Sequence, residues 1–98
     1  MISIITVVFN SEKLIEKTIK SVINQSYQDF EYIIIDGGST DGTTEVIKEY
    51  SDHIAFWSSK PDLGISDAFN KGISKATGEL IGTIIAGDIL LDDALHSV

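Results

Sequence analysis

Apolar and polar positions alternate in blocks along this chain, and each block has a period. Ile2–Val8 reads ISIITVV, nearly continuous in β-branched residues and without polar alternation. Such a run predicts a strand buried on both faces, as in parallel sheets. Asn10 or Ser11 is placed to cap the helix that follows. There Leu14, Ile15, Ile19, Val22 and Ile23 recur at helical spacing, while Lys13, Glu16, Lys17 and Lys20 fall on the opposite side. Glu16 and Lys20 stand in the favourable order for an exposed i, i+4 pair. Tyr32–Ile35 is a second strand, Thr43–Tyr50 a short helix with Val46, Ile47 and Tyr50 inward, and Ile54–Trp57 a third strand. Ser58–Leu63 holds the only proline and reads as a loop. Ile65–Ala76 is a helix whose buried face takes Ile65, Ala68, Phe69, Gly72, Ile73 and Ala76, with Gly78 near its C-cap. Leu80–Ile85 is a fourth strand, and Asp92 or Asp93 opens a last helix.

The order βαβαβαβ predicts an α/β, Rossmann-like, mostly parallel sheet with right-handed crossovers and helices on both faces. No repeat, linker or low-complexity tract interrupts it, and 98 residues make at most one domain. The final amphipathic pattern stops soon after it starts, so the expectation is the N-terminal part of something longer.

Charge narrows the partners. The net charge is −8, carried against seven lysines and no arginine. Such a surface repels polyanions, which argues against nucleic acid and anionic membrane. A phosphorylated ligand needs a bridging cation or backbone amides instead. The chain has no cysteine, which removes disulfide and thiolate-metal chemistry. Strand-like sequence from Ile2 leaves no room for a signal peptide, and no apolar stretch is long enough to span a bilayer. The expectation is a cytoplasmic protein, with the inner face of the membrane open to a longer parent.

Three strands end in polar residues. The first ends at Phe9-Asn10, the second at Asp36 before Gly37-Gly38, and the fourth at Asp88. Parallel sheets bind ligands outside the carboxyl ends of their strands. A carboxylate there can accept the ring N–H of a base or hold a hard cation. Glycines beside it admit positive φ and close approach of a ligand.

The blocks TVVFN, IIIDGGSTDGT, PDLGISDAFNKGISKATGE and IAGD, in this order, resemble the family-2 glycosyltransferases of GT-A fold, over essentially the whole chain. Within that family they look most like bacterial enzymes that build surface polysaccharides. The resemblance implies a nucleotide-diphospho-sugar donor, UDP-linked by the family's habit, a divalent Mn2+ or Mg2+, and transfer to an acceptor hydroxyl with inversion. It implies that Val7 and Phe9 line the base pocket, Val7 through backbone groups and Phe9 through its ring. Asp36 would contact the nucleotide, Asp67 would lie near the donor, and Asp88 would bind the metal. The plainer readings are Val7 as core, Phe9 packed under the first helix, Asp36 as a turn-capping aspartate, Asp67 as a complement to a helix dipole and Asp88 as a turn residue. Ser39, Thr40 and Asp41 read as shaping the loop and capping the next helix. Trp57 reads as core, and His53 and His96 are assigned nothing. Gly87 stands where many relatives carry a first aspartate.

In relatives the general base lies beyond the metal motif, so no catalytic residue is assigned here. The expectation is a donor-nucleotide-binding subdomain over 1–98, inactive alone. Two other classes fit the outline. A receiver-like signalling domain would need a phosphorylatable aspartate after the third strand, where Trp57-Ser58-Ser59 offers none. A non-catalytic interaction fragment would self-associate through exposed apolar surface.

Overall fold

The structure is a computed structural model, and it describes residues 2–24, 29–61 and 64–85. Four parallel strands, β1 (Ile2–Val8), β2 (Phe30–Asp36), β3 (Phe56–Ser59) and β4 (Leu80–Ile85), lie in the order β3-β2-β1-β4. Three helices connect them: α1 (Glu12–Ile23), α2 (Thr43–Glu49) and α3 (Ile65–Lys75), with a 3-10 turn at Ser51–His53 after α2. The βαβ alternation and the parallel sheet are as expected. The predicted last helix, Asp62, Asp88, Asp92, Asp93 and His96 lie outside the described residues.

β1 is the central strand, flanked by β2 and β4, and all seven of its residues are buried. That burial explains its unbroken apolar run. On one face Ile2, Ile4, Val8, Tyr32, Ile34 and Ile84 pack against Ile15, Ile19 and Val22 of α1 and Ile47 of α2. On the other, Ile5, Val7, Ile33 and Ile35 pack against Ala68 of α3. Full burial of one such aliphatic side chain is worth roughly 1.5–3 kcal/mol. Gly72 lets α3 approach closely, because a Cβ there would stand 2.5 Å from Cγ2 of Ile5. A buried polar pair in the sheet interior, Thr6 Oγ1 and Tyr32 OH, is mutually satisfied at 2.8 Å, and burial pushes the Tyr32 phenol up.

Several boundaries differ from the sequence expectation. β2 starts two residues earlier, at Phe30, and runs on to Asp36, because its register with β1 extends from Ile2↔Phe30 to Val8↔Asp36. β3 is Phe56–Ser59, not Ile54–Trp57, because Ser58 and Ser59 pair with Ile35 and Asp36. Leu14 and Ile73, both assigned to buried stripes, are 45% exposed. α3 packs on β1 and β2, and Ile81 of β4 is 45% exposed as well.

Candidate functional site

The chain lays β2 and then β3 on one side of β1 and returns, through α3, to lay β4 on the other. This reversal is the topological switch point, the place where open α/β sheets hold ligands. The loops that leave β1, β2 and β3 there are joined by hydrogen bonds between loops.

The first join links the β1 and β2 exits. Asn10 adopts φ 48°, in the left-handed region that asparagine tolerates better than most residues. Its N–H donates to Ser39 Oγ at 2.8 Å, and its side-chain carbonyl accepts the Thr40 N–H at 2.8 Å. Neither Asn10 nor Ser11 caps α1 through its own side chain, contrary to the sequence expectation. Asn10 is instead committed to the β2 loop, and the Ser11 hydroxyl donates back to the Phe9 carbonyl. The first N–H groups of α1 are served from the start of α2. Thr43 Oγ1 accepts the Ser11 N–H at 3.0 Å, and Asp41 Oδ2 accepts the Glu12 N–H at 3.4 Å. The other Asp41 oxygen accepts both the N–H and the hydroxyl of Thr43, and the Thr43 hydroxyl holds the Asp41 carboxyl below its ordinary range. Asp41 thus shapes the loop and caps, as its sequence position suggests.

Asp36 ends β2 and has no exposed surface. Its strand position fits the sequence expectation, but its carboxylate is turned into the loop. Oδ2 accepts the Gly38 N–H at 3.1 Å, the Ser39 N–H at 2.8 Å and the Ser59 hydroxyl at 2.7 Å. Oδ1 accepts the Ser39 hydroxyl. These bonds make the tight turn that a plain Asx reading predicts. Gly38, at φ 89°, lies against Pro61, whose N would be 3.1 Å from a Cβ placed there. Any side chain at Gly38 therefore meets both strain and the β3 loop.

The β3 loop leads on to α3. The Pro61 carbonyl accepts Lys71 Nζ at 3.3 Å, and Lys71 pairs with Asp67 at 3.4 Å. Lys71 is thus tied to the loop after β3 and to the first turn of α3. Asp67 sits in the first turn of α3. The Val7 side chain is buried beneath α3 in the core, which leaves its backbone as its only route to a ligand. Phe9 is the opposite case: an aromatic residue 58% exposed at the exit of the central strand. Trp57 is half-buried against the α1–α2 side of the core, and His53 is exposed. A shallow hollow of about 400 Å³ opens beside the β1 exit, walled by Asn10, Ser11, Glu12, Lys13, Leu14 and Asp41.

Hydrogen bonds and chain connectivity therefore link the β1 exit at Asn10 to Asp36 through Ser39, and Asp36 to Asp67 through Ser59, Pro61 and Lys71. Sequence reasoning missed Ser59 and the role of Asn10. Serine carries no periodic signal, and the nearest visible use for Asn10 was the adjacent helix. Among the described residues no three His, Cys, Asp or Glu side chains converge to cage a metal ion.

Comparison with known proteins places this architecture. An uncharacterized glycosyltransferase of Mycobacterium tuberculosis is 39% identical over 88 residues, which cover 89% of this chain and 34% of the relative. The chain thus spans about a third of that relative's length. The crystal structure of S. aureus TarS 1–349 in complex with UDP-GlcNAc superposes with a TM-score of 0.88 at 24% identity, over 98% of this chain and 29% of TarS. The mannosyltransferase PcManGT of Pyrobaculum calidifontis, in complex with GDP-Man and Mn2+, gives a TM-score of 0.86 at 24% identity, over 94% of this chain and 29% of its own. Both carry the GT-A fold, and these likenesses extend that fold to this chain. Residues 3–98 match the model of glycosyl transferase family 2, and the chain belongs to that family.

Proposed function

We propose that residues 1–98 form the donor-nucleotide-binding subdomain of a glycosyltransferase. In this reading a nucleotide-diphospho-sugar lies across the exits of β1, β2 and β3, and the sugar passes to an acceptor hydroxyl with inversion. The setting is bacterial surface polysaccharide synthesis, at the inner face of the membrane. The observation that carries the reading is the pairing at the switch point of an exposed aromatic ring, Phe9, with a hydrogen-bonded rim that runs from Asn10 through Asp36 to Lys71. Apolar walls with a few fixed polar groups are what a nucleotide site requires.

Each residue then has a task. Phe9 stacks on the base, and the Val7 backbone lines the same pocket. Asp36 accepts a base N–H. Asp67 faces the donor, with Lys71 holding its carboxylate in place. Asp88 is the protein ligand of Mn2+ or Mg2+. Such cations need only one or two carboxylates when phosphates complete the sphere, so one acid fits that chemistry. The bound cation neutralises charge on the departing nucleoside diphosphate. UDP is the favoured nucleotide on the family resemblance; of the two neighbours of this fold, TarS is in complex with UDP-GlcNAc and PcManGT with GDP-Man.

The chain spans about a third of its first relatives' length, which supports placing the acceptor site and general base in further sequence. On that reading this chain binds the donor but does not turn it over. Exposed Ile73 and Ile81 favour self-association of the isolated chain. Calorimetric titration with UDP, with and without Mn2+, tests the proposal. Weak binding that Mn2+ strengthens, and that Asp88→Asn makes indifferent to Mn2+, is the expected result. No heat at millimolar UDP under either condition overturns it.

A further inference from the structure

We propose that Asn10-Ser11 is a latent deamidation site, held closed by the hydrogen bonds that join the β1 exit to the β2 loop and the start of α2. The bond to Thr43 is the principal restraint.

The chain has three asparagines. Asn24 precedes the bulky Gln25, and Asn70 precedes Lys71 inside α3. Asn10 precedes a small residue, serine, and is exposed. Deamidation begins when the main-chain nitrogen of the following residue attacks the asparagine Cγ. A small following residue leaves that nitrogen open to approach, and an exposed position supplies the water that completes the reaction. Asn10 meets both conditions.

In the folded chain the reacting groups are restrained. The Ser11 nitrogen must give up its proton to attack, and its N–H donates to Thr43 Oγ1 at 3.0 Å. Thr43 is buried. Its hydroxyl proton goes to Asp41 Oδ1, which leaves its oxygen as an acceptor for Ser11. The Asn10 carboxamide is held toward the β2 loop, where its oxygen accepts the Thr40 N–H at 2.8 Å. The Asn10 N–H donates to Ser39 Oγ at 2.8 Å and fixes the main chain at φ 48°. Reaction therefore waits on a local opening of this join, which needs no unfolding of the sheet.

Once the join opens, the Ser11 nitrogen forms a bond to Asn10 Cγ and loses its proton, and ammonia leaves. Water then adds to either carbonyl of the cyclic imide. One product is aspartate, which adds a negative charge to a hollow already walled by Glu12 and Asp41. The other is isoaspartate, which lengthens the main chain by a methylene and carries the Ser11 N–H away from Thr43. The change is one-way, and it falls on the join between the β1 and β2 exits.

The test is peptide mapping by mass spectrometry of the whole chain held in mildly alkaline buffer, with Asn70 as the internal reference. The unaltered chain should convert Asn10 at least about tenfold faster in guanidinium chloride than when folded. Equal rates in the two states overturn the proposal. Thr43→Val keeps the side-chain shape and removes the hydroxyl. It should convert Asn10 about fivefold faster, the opening that loss of one hydrogen bond allows, while Asn70 keeps its rate. Thr43→Ser should keep the unaltered rate at Asn10. An unchanged Asn10 rate in folded Thr43→Val, or an equal rise at Asn70, removes Thr43 from the role. If Thr43→Val does not fold, Ser39→Ala takes its place: it frees the Asn10 N–H and should speed conversion at Asn10 alone. No rise there overturns the join as the restraint.

Discussion

The backbone N–H of Asn10 donates to the hydroxyl of Ser39 at 2.8 Å, so the exit of β1 is pinned to the exit of β2 across 29 residues of sequence. The same Asn10 returns its side-chain carbonyl to the Thr40 N–H. Asn10→Ala removes that acceptor and leaves an alanine at φ 48°. The loss should be about 1–2 kcal/mol, part hydrogen bond and part left-handed backbone. Asn10→Gly keeps the backbone relaxed and should cost less than Asn10→Ala. Urea unfolding midpoints of the two variants check the order.

Phe9 offers a separation of binding from stability. The residue is 58% exposed, so Phe9→Ala should change unfolding free energy by no more than about 0.5 kcal/mol. A base stacked on that ring would lose roughly 1–3 kcal/mol of binding. Parallel denaturation and UDP titration check this. Loss of stability without loss of binding would return Phe9 to a packing role.

Gly72 tests the close approach of α3. Alanine is the better helix former by about 0.8–1 kcal/mol. Its Cβ would nevertheless meet Ile5 Cγ2 at 2.5 Å and Ile35 Cγ1 at 3.4 Å. Both isoleucines are fully buried, and overpacking a core of this kind costs typically 1–3 kcal/mol. The clash outweighs the propensity, so Gly72→Ala should be destabilising. Thermal unfolding of the variant measures the sign.

Glu31 sits at the opposite end of the sheet from the crevice and stitches three segments together. It accepts the Thr77 N–H at 2.6 Å, the Thr77 hydroxyl at 2.9 Å and the Ser3 hydroxyl at 2.7 Å. The Thr77 backbone donor is the main reason its carboxyl is held below the ordinary 4.5. A depressed folded pKa means that Glu31 contributes stability above its unfolded value and loses it as pH falls through the folded one. Stability should therefore decline as the medium is acidified below about 4.5. Glu31→Gln should be less stable at neutral pH and show a shallower acid decline. Urea midpoints across the acidic range check both.

Much of this fold was legible because burial dictates composition. β1 is buried along its whole length, so its apolar run could hardly be read otherwise. The Glu16–Lys20 pair, 3.8 Å apart, followed from helical spacing alone. What failed was set by partners distant in sequence. Ser58 and Ser59 look like loop, yet they extend β3 because Ile35 and Asp36 pair with them. Ile73 matches a buried helical stripe, yet with α3 packed on β1 and β2 it is 45% exposed. The site was legible in outline through Asp36 and its two glycines. Its inner wiring was not, since Asn10, Ser39 and Ser59 come from the exits of three strands that only the sheet order brings together.

The most direct measurement is an amide chemical-shift map of the chain titrated with UDP in the presence of Mg2+. Shifts concentrated at Phe9, Asn10, Gly37, Gly38 and Ser39, with Glu31 and Thr77 at the far end of the sheet unmoved, are the predicted result. Shifts confined to that far end, or none at these loop amides at millimolar UDP, would contradict a nucleotide site at the exits of β1 and β2.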